Sequence, residues 1–560
     1  MTMKISGKYI SAAAALIAAA SLSSCIGDLD TIPRNPYDIS SETAYGTDEA
    51  GYLQGLTKLY FQFISNDTKD LQVSDGGASE LIRAFWSVQE TSTDEAKCAW
   101  ENDAWVRALN TNTWSEAQND ATYAVYVRTL QGISYANEFL RQTTSDKLDS
   151  RGVSGELKAK VESFRAEARF IRAYFYWMLM DTFGNVPFIT EASDFGVGVN
   201  PQQKSRKEVF EFCVEELREL AADGSAMPAP RSNYPRANKG SVNGLLARLY
   251  VNAEVYTGTG MWQEAKDVCE DIFDMGYELC DNYADLFRGD NGENPEALKE
   301  IMFAAAYDAE QSQSYGGTSY LTLAAVAATD VSEGEGDNQV FHAPNGVNNG
   351  WAGIRTTYEF VSEYFDVQNP DYTAGTYDCA DKRGQMFYIK GRTETMQDAL
   401  YVFANGWSCL KFNNIPSDQT PESYVETART KAYSDIDYPL IRLGEIYLIY
   451  AEACMHLDQV SVALPKMEEL AERAGVEPTD YIDTDFLIAE RARELMWEGH
   501  RRTDLIRYEV FNSARFTWPY KGNSYQGTGF PEYMNIFAIP LTDLAANVDL
   551  EQNPGYADLL

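Results

Sequence analysis

The chain has 560 residues and a formal net charge of −38 at pH 7, from 84 acidic against 46 basic side chains. That balance excludes nucleic acid and anionic membrane surfaces as electrostatic partners, while a neutral ligand is not penalised. Only three histidines occur, His342, His456 and His500, too scattered for zinc sites or Ser-His and Cys-His catalysis, whereas 35 Tyr, 26 Phe and 10 Trp supply both a core and flat faces for ring stacking.

The amino terminus reads as an address. Lys4 and Lys8 precede an alanine-rich apolar run from Tyr9 to Leu22. The run is too short and too poorly flanked to span a bilayer, so residues 1–24 are read as a secretory signal. Leu22, Ser23 and Ser24 before Cys25 resemble a bacterial lipobox, which predicts acylation of Cys25 and attachment to a membrane without spanning it. The alternative is an ordinary signal peptide with a coincidental cysteine. Asp28 and Asp30 resemble a surface-export tag, and residues 25–50, with Pro33 and Pro36, are read as a lipidated tether. Residues 51–560 are then one domain, with a mature charge near −40 once Lys4 and Lys8 are removed.

Gly51 to Ile64 is a first predicted helix, with Leu53, Leu56, Leu59 and Tyr60 on one side. Residues 66–120 are irregular and carry Trp86, Trp100, Trp105 and Trp114, with Trp177 further on. Such a stretch is either a set of binding loops or a local aromatic cluster that pins loops in place. A helix pair follows, Tyr123 to Leu140 and Leu157 to Phe183. From Phe170 the second member is apolar nearly all round, as a buried helix is. Arg165, Arg169 and Arg172 share one of its faces. Unpaired charge entering a core is costly, and Glu445, Glu452 and Glu494 on later helices are the candidate partners. Gly184 and Asn185 suit a left-handed cap, and Pro187 prevents resumption of the helix.

Ser205 to Ala221 and Lys239 to Tyr256 form a second pair, and a further helix opens at Met261 and runs to about Met275. The pattern A-x-L-Y then W-x-E-A there resembles a tetratricopeptide repeat. A second copy lies at Tyr438 to Leu457 and Val460 to Gly475, and Asp485 to Phe511 reads as one long helix. The expected fold class is mainly all-α, a tetratricopeptide-like scaffold of stacked helix pairs with a large loop-rich binding portion at about 66–120 and 276–430. Seven cysteines remain beside Cys25 and no C-x-x-C occurs, which argues against zinc or redox motifs. Cys269 and Cys280 are placed to meet across a helix end; most of the seven are read as small buried apolar residues.

The stretch Phe164 to Pro187, FRAEARFIRAYFYWMLMDTFGNVP, carries a family resemblance. So do Pro439 to Glu445, Ala451 to Ala453, the run Glu490, Arg491, Glu494, Glu498 to Leu505, and the tail Gln552 to Tyr556. Together they resemble the SusD/RagB family. Membership implies a non-enzymatic, lipid-anchored outer-membrane protein of the cell surface, which captures glycan and sits over a TonB-dependent SusC-like transporter. It resembles the starch-binding members most: Arg83, Thr93 to Glu95, Ala99-Trp100, Tyr315 to Gly317 and Asn349 to Trp351 match their ligand site. Carried over, Arg83 donates to sugar hydroxyls, Trp100, Tyr315 and Trp351 form a curved aromatic arc, and Asn102 or Asp103 supplies an acceptor. The ligand implied is an α-glucan, starch or maltooligosaccharide. A further arc tryptophan of those members falls at Cys98, so that plate is missing, with Trp105 as candidate replacement. No cofactor is required. A structural calcium is implied by Asp435 and Asp437, which match two ligands of the family prototype, with a third falling at Gly292 beside Asp290; the alternative is a capped turn. A glycoside hydrolase is the competing class, but the acidic residues offer no distinctive pair and Glu494 and Glu498 sit among arginines. A different glycan, or peptides, is the other alternative.

Overall fold

The computed structural model describes residues 44–556 apart from 67–70, 72, 74–75, 116, 118, 195, 197–198, 335–338 and 398. The signal, Cys25 and most of the tether lie outside the described residues.

Helices build the scaffold. The main ones are α1 (Glu49–Ile64), α2 (Leu81–Trp86), α3 (Ala104–Thr111), α4 (Asp120–Gln142), α5 (Gly155–Phe183), α6 (Arg206–Ala221), α7 (Lys239–Val251), α8 (Trp262–Phe273), α9 (Gly317–Leu323), α10 (Leu443–His456), α11 (Val460–Ala474), α12 (Thr484–Leu495) and α13 (Arg501–Arg507). Side chains cap their starts. Ser154 caps α5 through Leu157 N–H, and Ser205 and Glu208 form a reciprocal capping box on α6. Gly184, at φ 72°, ends α5 where the sequence placed its cap.

The helices stack in order, α4 on α5, α5 on α6, α6 on α7 and α7 on α8, and the stack then continues from α8 to α10 and α11. Residues 276–430 are therefore looped out between two neighbouring members of one helical ladder. The tetratricopeptide-like scaffold expected from the sequence is present. Strands among the described residues are short antiparallel pairs. Two of these pairs join segments remote in the chain: β1 (Lys97–Cys98) with β3 (Ile354–Arg355), and β2 (Ile301–Ala305) with β4 (Tyr438–Arg442). One continuous core runs from Tyr52 to Tyr556, and a small second cluster of Val326, Val331, Ala343, Ile415, Tyr424 and Ala428 underlies the loop-rich insert.

Several expectations are corrected. The arginine stripe of α5 does not reach Glu445, Glu452 or Glu494. Arg172 pairs with Glu216 at 2.7 Å and with Glu191, Arg169 pairs with Glu216 at 2.7 Å and with Glu219, and Arg165 donates to the Leu140 carbonyl. Arg169 and Arg172 face α6, which supplies Glu216 and Glu219; Glu191 comes from the segment that follows α5, and Arg165 turns to the α4 backbone. The later glutamates serve later arginines: Glu445 pairs with Arg248, Glu452 with Arg507, and Glu494 with Arg383, Arg442 and Arg473.

The expected helix Asp485 to Phe511 is two, α12 and α13. Between them Trp497 takes a left-handed φ of 65° and is wholly buried. Its backbone N–H donates to Glu95 at 2.8 Å, and its carbonyl accepts from the Trp86 indole at 2.9 Å. The break lets one large ring enter the core against Trp86. Cys269 and Cys280 are free thiols, like all described cysteines; only Cys379 is less than fully buried.

Candidate functional site

A cleft of about 440 Å³ opens where three loop-rich segments meet, and Arg83, Trp100, Tyr315 and Trp351 all line it. Gly76, Gly77, Leu323, Asn348, Asn349 and Ala432 complete the lining. These side chains are far apart in sequence, and the backbone explains how they converge. Trp100 follows β1 and Trp351 precedes β3, and the two strands pair Lys97 with Arg355 and Cys98 with Ile354. The ladder extends by one bond, Ala99 N–H to the Gly353 carbonyl at 2.8 Å. Trp351 is also tied to the end of α9, its N–H donating to the Leu323 carbonyl at 2.7 Å. Tyr315 precedes the same helix, so α9 carries one plate at its start and anchors another at its end.

Arg83 comes from α2 and is 3% exposed. Its guanidinium lies 4.3 Å from the Tyr320 ring centre and 5.7 Å from that of Trp100. Gly77 permits this approach: a Cβ there would strike the guanidinium and come 2.6 Å from the Tyr315 carbonyl oxygen. Gly353 does the same for Trp100, since a Cβ would sit 2.6 Å from the indole. Tyr315 is 48% exposed, and its ring centre is 5.8 Å from that of Trp351, the planes inclined at 57°. The cleft thus presents tilted aromatic plates beside one buried cation. Glu80 is buried against Gly316 and Gly317, its carboxylate accepting from the Tyr307 hydroxyl and its Oε2 left without a hydrogen-bond partner. Burial pushes its pKa up to about 8, against the opposing pulls of Tyr307 and Arg83.

Asn102 and Asp103 stand in the turn between Trp100 and α3, outside the lining. Of the other tryptophans, Trp86, Trp105, Trp114 and Trp177 are buried in the core, so the aromatic-cluster reading holds for them. Trp105 therefore does not replace the plate missing at Cys98, which is itself 2% exposed. Gly76, Gly77, Asn348 and Ala432 were not singled out by the sequence, nor was Tyr433, which touches Tyr315. Their only signal was a position beside turn residues.

The calcium expectation is corrected. Asp435 accepts from Ala309 N–H at 3.0 Å and pairs with Lys431 at 2.9 Å. Asp437 accepts from the Tyr234 hydroxyl at 2.7 Å and Tyr307 N–H at 2.9 Å, while Gly292 packs on its carboxylate. Both carboxylates are spent on backbone and side-chain donors, the capped-turn arrangement, and among the described residues no group of three or more His, Cys, Asp or Glu is placed to hold a metal. The residues do not fit a calcium site. Glu494 and Glu498 are likewise no acid and base pair. Both are buried in ion pairs with Arg442, at 2.6 Å each, and burial opposed by Arg473, Arg442 and Arg383 leaves Glu494 well below the usual carboxylate range.

Residues 299–556 match the family model described as the SusD family, and residues 76–251 match the one described as starch-binding associating with outer membrane. The starch-binding protein SusD of Bacteroides thetaiotaomicron is 32% identical over 591 aligned positions, covering 99% of this chain and 100% of that protein. The chain belongs to the SusD family. Solved SusD-like structures share its fold. A SusD-like carbohydrate binding protein from Bacteroides fragilis superposes with a TM-score of 0.67 at 19% identity, covering 90% of this chain and 99% of that one. Surface glycan-binding protein A from Bacteroides thetaiotaomicron, in complex with laminarihexaose, gives 0.65 at 17% identity over 90% and 99%. The chain is a SusD-family binding protein and not an enzyme, and the family's description associates it with the outer membrane. Among the described residues no helix is long and apolar enough to cross a membrane.

Proposed function

We propose that this protein captures starch-like α-glucans at the cell surface, in the cleft of Arg83, Trp100, Tyr315 and Trp351. The observation that carries this reading is the convergence of those four side chains on one open cleft from segments up to 268 positions apart. A sugar ring offers C–H faces to an aromatic plate and a rim of hydroxyls to donors and acceptors. Trp351 and Tyr315 take the faces, Arg83 donates to hydroxyls, and Asn102 or Asp103 accepts from a chain that extends past the lining. Plates inclined to one another suit a glycan that turns along its length, as α-1,4-glucan does. The 32% identity to a starch-binding protein supports the same ligand.

In this account the chain is exported by residues 1–24, acylated at Cys25, held by the 25–50 tether and folded as one domain over 51–560. It hands its glycan to a SusC-like TonB-dependent transporter. Native affinity electrophoresis against amylopectin, laminarin, levan and xylan tests the ligand. Retardation by amylopectin alone, lost in Trp351→Ala, is the expected result. Retardation by laminarin and not amylopectin would replace the α-glucan with a β-glucan while keeping the cleft.

A further inference from the structure

Tyr433 is partly exposed and follows Ala432 of the cleft lining. Its ring centre lies 4.8 Å from that of Tyr315, with the planes inclined at 40°. Tyr315 in turn meets Trp351, so three rings run in contact, and each step turns the exposed face by tens of degrees. The backbone that carries Tyr433 is fixed to the same elements as the other plates. The Lys431 carbonyl accepts from Asn348 N–H at 2.9 Å, Ser434 N–H donates to the Ser319 hydroxyl of α9 at 2.9 Å, and Thr318 of α9 donates to the Ile436 carbonyl at 2.9 Å. A ring held by rigid neighbours offers contact area at little entropic cost.

We infer that Tyr433 is a further sugar-stacking plate, which continues the row of Trp351 and Tyr315 beyond the cleft. The inference rests on the glycan-binding reading and deepens it. A short oligosaccharide occupies Trp351, Tyr315 and Arg83 and does not reach Tyr433. A longer, turning α-glucan does, so Tyr433 sets a preference for chain length.

Calorimetric titration of the wild type, Tyr433→Ala and Tyr433→Phe with maltotetraose and maltoheptaose tests this. In Tyr433→Ala, maltoheptaose should bind about threefold to tenfold more weakly while maltotetraose changes by less than about twofold. Tyr433→Phe keeps the plate and should retain wild-type affinity for both. Unchanged maltoheptaose affinity in Tyr433→Ala would overturn the inference. So would equal weakening of both ligands, which reports a displaced Tyr315 rather than a lost subsite. Wild-type protein that binds neither ligand would instead overturn the α-glucan reading, and the inference with it.

Discussion

Gly353 illustrates how the site depends on what a residue lacks. Its missing Cβ is the space that the Trp100 indole occupies, 2.6 Å away, with the Ala324 methyl 3.1 Å off on another side. Gly353→Ala must therefore push the indole out of line. We expect a loss of glycan affinity together with a destabilisation of about 1–3 kcal/mol, read by calorimetry and by urea denaturation. Full affinity in this variant would mean that Trp100 does not act as a fixed plate. Glu80 offers a test by pH. Its carboxyl titrates at about 8 rather than its ordinary 4.5 because burial disfavours the charged form. The folded state keeps a proton that the unfolded chain has released, so the contribution is full below about pH 4.5 and is lost as pH rises through 8. His500, Lys97 and Lys521 are pushed down by burial and act in the opposite sense. The readout is thus the stability difference between Glu80→Gln and wild type, which should move in the variant's favour from about pH 5 to about pH 8.5. A difference independent of pH would show that Glu80 is ionised throughout. Arg83, Trp100, Tyr315 and Trp351 were legible in the sequence because short motifs surround them. Gly353 and Tyr433 were not, since their roles exist only in contacts between segments remote in the chain.

Among the elements, periodicity located the helices well, and α5, expected over Leu157 to Phe183 with a stop at Gly184 and found over Gly155–Phe183, is the clearest case. Partner choice was not legible. Three arginines on one face require partners, but the sequence cannot say which elements lie opposite: Glu216 and Glu219 of the next helix and Glu191 after α5 serve two of them, and the α4 backbone serves the third. The break between α12 and α13 was hidden for a related reason: Trp497 leaves the helix to fill a space shaped by Trp86 and Glu95, some 400 positions earlier. The charge clusters differ sharply in weight. Glu494 is fully buried among Arg383, Arg442 and Arg473, and Arg442 also bonds Glu300 and Glu498, tying β4 to α12. Glu494→Ala takes the shared carboxylate from three buried cations, leaving Arg473 with Glu300, Arg442 with Glu300 and Glu498, and Arg383 with Asp381 and Glu490, and should cost about 3–5 kcal/mol in urea denaturation. Arg169, with its side chain 26% exposed, pairs near the surface, and Arg169→Ala should cost under about 1 kcal/mol. Equal costs for the two variants would contradict the assignment of the buried cluster as the scaffold's central tie.

At the scale of the molecule, a rigid helical ladder holds a loop-rich insert, and the cleft forms where that insert meets residues 76–100. The ladder was legible as repeated helix pairs. The insert was legible only as a long irregular stretch, because its short strands and the β1 to β3 ladder depend on pairing over some 250 positions. The net charge of −38 does not penalise a neutral ligand, so in the proposed function selectivity is left to the plates and the few polar groups between them. Asp435 and Asp437 already hold donors, so exhaustive chelation should leave both the thermal midpoint and glycan affinity unchanged. A fall in either that calcium restores would contradict this. The proposed ligand of the aromatic cleft is an α-glucan. The most direct measurement is calorimetric titration of the mature protein with maltoheptaose, wild type beside Trp351→Ala. The wild type should bind saturably and the variant about tenfold or more weakly, with its thermal midpoint preserved. Absence of binding by the wild type, or equal affinity in Trp351→Ala, would contradict that reading.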